Sequence, residues 1–137
     1  MLSKYQTQFN TLQPFAAIFI RLAFGYHLIQ YTYADVFTLS AATNNAGYLS
    51  TLGIPFPSIM AWVYILTEFL GGIALIIGFK IRWFAVALII NFLVAVFIAH
   101  AHQPYSKSFE SIQMLAVSCF FLFNGAGKLS IDSKTDN

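Results

Sequence analysis

Four apolar runs, residues 14–34, 57–79, 83–101 and 109–127, decide what this chain can fold into. Each is close to the ~20 residues that an α-helix needs to cross the hydrocarbon core of a bilayer. Inside lipid only helices and closed barrels satisfy their own backbone hydrogen bonds, so runs of this length point to spanning helices. Composition agrees: 58% of the 137 residues are hydrophobic and 9% are charged, too little polar surface for a water-soluble domain of this size. The expected fold is an all-α membrane protein, a four-transmembrane-helix bundle forming a single domain over residues 1–137. The lipid bilayer is its first expected partner.

Punctuation supports these limits. Pro14 and Pro57 stand where helices begin, which suits a residue with fixed φ and no N–H, and Gly125 and Gly127 stand where the fourth should end. Asp35 to Phe56 is the only long connection, expected as a loop covering one mouth of the bundle, whereas Lys80–Arg82 and Gln103–Ser108 are short. Lys4, Lys80, Arg82, Lys128 and Lys134 then fall on one side and Lys107 on the other, so both termini are expected in the cytoplasm. The segment before Pro14 lacks a cleavage site of the Ala-x-Ala kind, and the first helix is read as an uncleaved anchor.

Several classes of function are disfavoured. The net charge of +2 is scattered, without the basic stripe that nucleic acid requires. Cys119 is the only cysteine, so the chain offers neither a disulfide nor a Cys-x-x-C pair, and no G-x-G-x-x-G signature is present.

Arg21 and Glu68 are the only formally charged residues inside the first and second runs, and they have opposite signs. A charge at mid-bilayer costs about 2.5–3.5 kcal/mol on insertion scales, so pairing the two is the expected solution. Counted from Pro14 and Phe79, they lie roughly 11 and 17 Å deep at ~1.5 Å per residue, within reach of long side chains. Ala17 and Gly25 share a helical face with Arg21, and Gly71, Gly72 and Leu75 share one with Glu68, so small residues would let the two helices approach. Asn91, placed near the depth of Arg21, is a candidate third partner. Such a centre is either a pin that fixes helix register or a functional site.

A second polar group lies toward the opposite side. His27, Gln30 and Tyr31 cluster on the first helix, His100 and His102 end the third, and Glu110, Gln113, Asn124 and Lys128 form a stripe along the fourth. Together with the long connection they outline a polar vestibule. His, Tyr and Gln there suit the carbonyls of a quinone headgroup, or a proton relay; the plainer alternative is interfacial histidines of no special role. Neither metal nor haem is expected: His100 and His102 point to different faces, and His27 lies deeper than His100. Most of the aromatic residues are read as belt and packing.

Several segments resemble the DoxX family of small membrane proteins: Arg21 to Ile29 (RLAFGYHLI), Gly53 to Pro57 (GIPFP), Glu68 to Gly72 (EFLGG), Gly78 to Ala85 (GFKIRWFA), Ile98 to His100 (IAH) and Gly125 to Asp132 (GAGKLSID). Each is weak alone; their order along the chain is more specific. The resemblance implies a four-helix bundle in the bacterial cytoplasmic membrane, in a family named after a subunit of a thiosulfate:quinone oxidoreductase, with other members tied to quinone or oxidative stress. It marks Arg21, Gly25, Glu68, Gly71, Gly78, Arg82, His100 and the tail from Gly127 to Asp132, without assigning a catalytic role. Many relatives carry Gly and Lys near the outer end of the first helix, where this chain has Tyr31 to Asp35.

The functions consistent with this reading are a quinone-binding or oxidoreductase-associated membrane subunit needing a separate redox partner, a carrier or binding protein for a small molecule, and a non-catalytic scaffold or assembly factor. The candidate centre comprises Arg21, His27, Glu68, Asn91, His100, Glu110 and Gln113. Oligomeric state leaves no signature in the sequence.

Overall fold

A computed structural model describes residues 2–135, with side chains from Tyr5 onward. The side chain of Lys4, counted above toward the cytoplasmic face, lies outside the described residues, as do the extreme termini. The described chain is helical: α1 (Leu2–Leu12), a 3₁₀ turn (Gln13–Phe15), α2 (Ala16–Phe37), α3 (Leu39–Thr51), α4 (Pro57–Ile77), α5 (Ile81–Val94) continued by a π-helical turn (Ala95–Ala99), α6 (Tyr105–Asn124) and α7 (Asp132–Thr135).

Three segments are long and apolar enough to cross a membrane: Tyr5–Phe37, Pro57–Ile77 and Ile81–Ala99. At 33 residues the first is ~50 Å long, more than the ~30 Å hydrocarbon core, so part of it must project. α6 differs in carrying Lys107, Glu110 and Gln113 in its first half.

The helices pack in chain order as α2 on α4, α4 on α5 and α5 on α6, with α3 laid against α4. α2 and α4 run antiparallel and nearly touch at glycines. A Cβ on Gly25 would stand 2.8 Å from the Gly72 carbonyl oxygen, and one on Gly72 would stand 2.8 Å from that of Gly25. The small-residue faces read from the sequence do bring the backbones together, because in lipid close packing, rather than hydrophobic burial, drives helices to associate. Leu28, Leu75, Ile81, Leu88, Phe92, Met114 and Phe121 fill the core between helices.

The largest departure from the sequence reading is the connection from Asp35 to Phe56. It is not a loop: most of it is α3, whose buried Ala42 and Ala46 form its inner face. Its Thr, Ser, Asn and Gly content reads as irregular, but packing against α4 overrides propensity. The outer helices also differ at their ends. The first helix starts well before Pro14, and α6 begins at Tyr105 and stops at Asn124, so Lys128 lies in the tail and the predicted stripe on the fourth helix does not reach it.

At one end, the tail after Gly125 ties the bundle together. Gly125 and Gly127 take positive φ, turning the chain back under α2 and α4. The N–H groups of Lys128, Ile131 and Asp132 then donate to the carbonyls of Pro14, Ile77 and Gly78. The Asp132 carboxylate accepts from the N–H groups of Lys80 and Ile81 at 2.6 and 3.0 Å, capping the start of α5 from a distant part of the chain.

Candidate functional site

Arg21 projects from α2 into this knot, and its expected pairing with Glu68 does not occur. Its guanidinium is buried and donates to backbone carbonyls alone: Nε to Leu75 (2.9 Å), Nη1 to Ala126 (2.9 Å) and Lys128 (3.4 Å), Nη2 to Ile76 (3.1 Å) and Leu129 (3.2 Å). Guanidinium has five N–H donors, and five carbonyls meet them. Leu75 and Ile76 belong to the last turn of α4, whose carbonyls have no helical partners. Arg21 is thus a clamp that joins α2, the end of α4 and the tail. The physical reason for the difference is register: Gly25 faces Gly72, so Arg21 lies level with Ile76, and Glu68 sits roughly 12 Å farther along α4 at ~1.5 Å per residue.

Glu68 is also buried, but at the other end of the bundle, where it accepts a 2.7 Å hydrogen bond from Asn91 Nδ2 of α5. Asn91 therefore partners the carboxylate and stands away from Arg21, not at its depth. Both side chains border a partly open cavity of about 560 Å³ lined by residues of α2 to α6 and the π turn. This volume falls within the ~300–1,000 Å³ typical of small-molecule sites.

His27, Glu68, Asn91, His100 and Glu110, five of the residues singled out from the sequence, all line this one cavity. Arg21 lies outside it, Gln113 borders only a smaller neighbouring pocket, and His102 is exposed beyond it. Helical spacing explains the convergence. His27 and Tyr31 lie one turn apart and stack with ring centroids 6.3 Å apart, and Tyr64 and Glu68 repeat the same spacing on α4. His27 Nε2 and Glu110 Oε1 share a 2.6 Å hydrogen bond that joins α2 to α6. The side chains of His27 and Glu110 are 43% and 52% exposed, so this contact is open to its surroundings, unlike the buried Glu68.

The π turn closes with the His100 N–H donating to the Ala95 carbonyl, and it ends α5 with His100 on the cavity wall, Nδ1 3.5 Å from Ser111 Oγ. Such turns recur at functional positions because an added residue re-aims the side chains beyond it. α3 roofs the space. Asn45 donates to Asp35 (2.9 Å) and the Tyr48 hydroxyl donates to the Ala99 carbonyl (2.9 Å), fastening the roof to α2 and to the π turn. Asn45, Tyr48, Tyr64, Thr67 and Lys107 also line the cavity, and sequence reasoning missed them. The spacing of Ala42, Ala46 and Leu49 was the available signal for α3, and the one-turn offset of Tyr64 from Glu68 was the signal for α4.

This arrangement offers two carboxylates, two amides, two imidazoles and three phenols, with Thr67, Ser111 and Lys107, between apolar walls that include Leu28, Leu49, Ile54, Val63, Ile90 and Phe92. It can hydrogen-bond a compact polar group while holding an apolar ring. The family model for DoxX matches residues 16–101, more than half of the chain, from the start of α2 through the π turn. The chain belongs to the DoxX family. The matched span of this DoxX protein contains Arg21, His27, Glu68, Asn91 and His100, whereas α6, with Glu110 and Gln113, and the tail lie beyond it. No curated protein and no solved structure matches the chain.

Proposed function

We propose that this DoxX protein crosses the bacterial cytoplasmic membrane four times as a single domain, with both termini in the cytoplasm, and binds a quinone-type headgroup in the cavity beside Glu68. The observation that carries the proposal is the convergence of His27, Glu68, Asn91, His100 and Glu110 on one apolar-walled chamber of about 560 Å³. Support for the fourth crossing comes from α6, whose 20 residues extend ~30 Å alongside α5. Support for the orientation comes from Lys80, Arg82, Lys128 and Lys134 at the tail end, with Lys107 at the other.

The residues fit the group. A benzoquinone ring is flat and apolar with two carbonyl acceptors on opposite edges. Asn91, Tyr31, Tyr64 and the imidazoles of His27 and His100 would supply the donors, and Leu28, Val63 and Ile90 would flank the ring. A bound quinone supplies two-electron redox chemistry, in which each carbonyl oxygen gains a proton on reduction. The part played by this chain is to orient the headgroup and to present groups able to give and take protons, Glu68 and His27 foremost. With a single cysteine and no nucleotide-binding signature, the chain would receive or pass on electrons through a separate redox protein.

The test is to purify the protein in mild detergent and analyse its absorbance and the mass spectrum of its organic extract. A quinone present at near-stoichiometric amount and lost in Glu68→Gln or His27→Ala protein that still folds is the expected result. A ligand-free protein that also fails to take up added short-chain ubiquinone or menaquinone would overturn the reading.

A further inference from the structure

The helices form an incomplete ring. α2 packs broadly on α4, α4 on α5 and α5 on α6, but α6 and α2, which would close the circle, hardly touch. The seam between them is fastened at its two ends in different ways. At the tail end the Arg21 guanidinium donates to the backbone carbonyls of Ala126, Lys128 and Leu129 just beyond α6, the first of these bonds buried and the other two partly so. At the α3 end, among the described residues, the fastening is the bond between His27 and Glu110, two side chains that are each about half exposed.

A second pocket, of about 220 Å³, lies on this seam, bordered by Ala23, Phe24 and His27 of α2 and by Glu110, Gln113 and Met114 of α6. His27, Glu110 and Met114 border the main cavity as well. Three side chains therefore stand between the two spaces, and two of them are joined by a bond that a change of rotamer breaks without moving either helix. Leu22, Tyr26 and Phe109 lie exposed nearby on the two helices, the surface expected where a protein meets lipid rather than water.

We propose that the cavity is loaded sideways from the bilayer through the α2–α6 seam, by an amphiphile whose polar head passes the His27–Glu110 latch while its apolar tail remains in lipid. The inference rests on the proposed binding cavity and names its route and ligand class. A polar head replaces the latch bond with bonds of its own to His27 and Glu110 as it passes, so the crossing leaves neither group unpaired. An apolar tail has no reason to leave lipid. The route is confined to the α3 end, because the Arg21 clamp holds the other end of the seam.

The test uses a probe that reacts inside the cavity and needs no bound quinone. Ser111 is buried and borders the main cavity, so Ser111→Cys in a Cys119→Ser background places one thiol there. The protein is reconstituted in nanodiscs and labelled with N-dodecylmaleimide dissolved in the lipid, or with a charged, water-soluble maleimide. Ala23→Trp and, from the facing helix, Gln113→Trp plug the seam at exposed positions that border the small pocket and not the main cavity. Each plug is expected to slow labelling by the lipid reagent at least tenfold and to leave labelling by the water-soluble one unchanged. Lipid-reagent labelling that is as fast in both plugged proteins as in the unplugged one, or absent in the unplugged one, would overturn the seam as the route. If the plugs block lipid access but the protein takes up no quinone, the headgroup assignment fails and the route stands; if quinone binds and the plugs have no effect, the reverse holds.

Discussion

The two ends of this bundle handle buried polarity in opposite ways. At the tail end a charged side chain is matched completely: five donors of Arg21 meet five carbonyls, and Asp132 caps α5. At the α3 end the carboxylate of Glu68 has, among the described residues, one hydrogen-bond partner, Asn91, and opens onto a chamber. Saturated polarity holds helices in place, whereas polarity left with free capacity is able to bind something else. The difference teaches that a lone charge in a membrane helix does not announce its role; its partners do.

That contrast can be broken most severely at Arg21. Arg21→Leu strands buried carbonyls of α4 and the tail, and is expected to cost about 3–5 kcal/mol, seen as poor accumulation and a large drop in the thermal midpoint in detergent. Arg21→Lys should rescue only part of this, because an ammonium has three donors and no fork. An Arg21→Leu protein that melts with the parent would show that the knot does not hold the bundle. Next in size is Gly72→Ala, whose new Cβ would meet the Gly25 carbonyl oxygen at 2.8 Å. Forcing α2 from α4 is expected to cost about 1–3 kcal/mol, read as a lowered midpoint. At the α3 end smaller effects are expected. Tyr48→Phe removes the hydroxyl that fastens the roof to Ala99, a bond worth about 0.5–1.5 kcal/mol, so amide exchange across 39–51 should rise roughly two- to tenfold while the rest of the bundle is unchanged. Uniformly faster exchange would mean that α3 is part of the global fold rather than a separate roof.

The same contrast explains what was legible in the sequence. Residue types revealed the apolar helices, the glycine contact between α2 and α4, and the gathering of His27, His100 and Glu110 at one end, because length, spacing and topology fix these. Arg21 stood out as a buried charge, but its partners did not, since backbone carbonyls have no letter of their own. Opposite charge suggested Glu68 in their place, and the register set by Gly25 against Gly72 separates the two. The α3 helix was hidden for a related reason: its Thr, Ser, Asn and Gly residues favour turns locally, and only the spacing of Ala42, Ala46 and Leu49 pointed to a packed face. The contact between His27 and Glu110 joins residues 83 positions apart, which no local pattern encodes.

The most direct measurement is Glu68→Gln, read for stability and for binding in the same preparation. The amide keeps an acceptor for Asn91 and the volume of the side chain, so the thermal midpoint should stay close to that of the parent, while affinity for a short-chain quinone falls at least tenfold. A Glu68→Gln protein that binds quinone like the parent, or one that unfolds as Arg21→Leu does, would contradict the division between a holding end and a binding end.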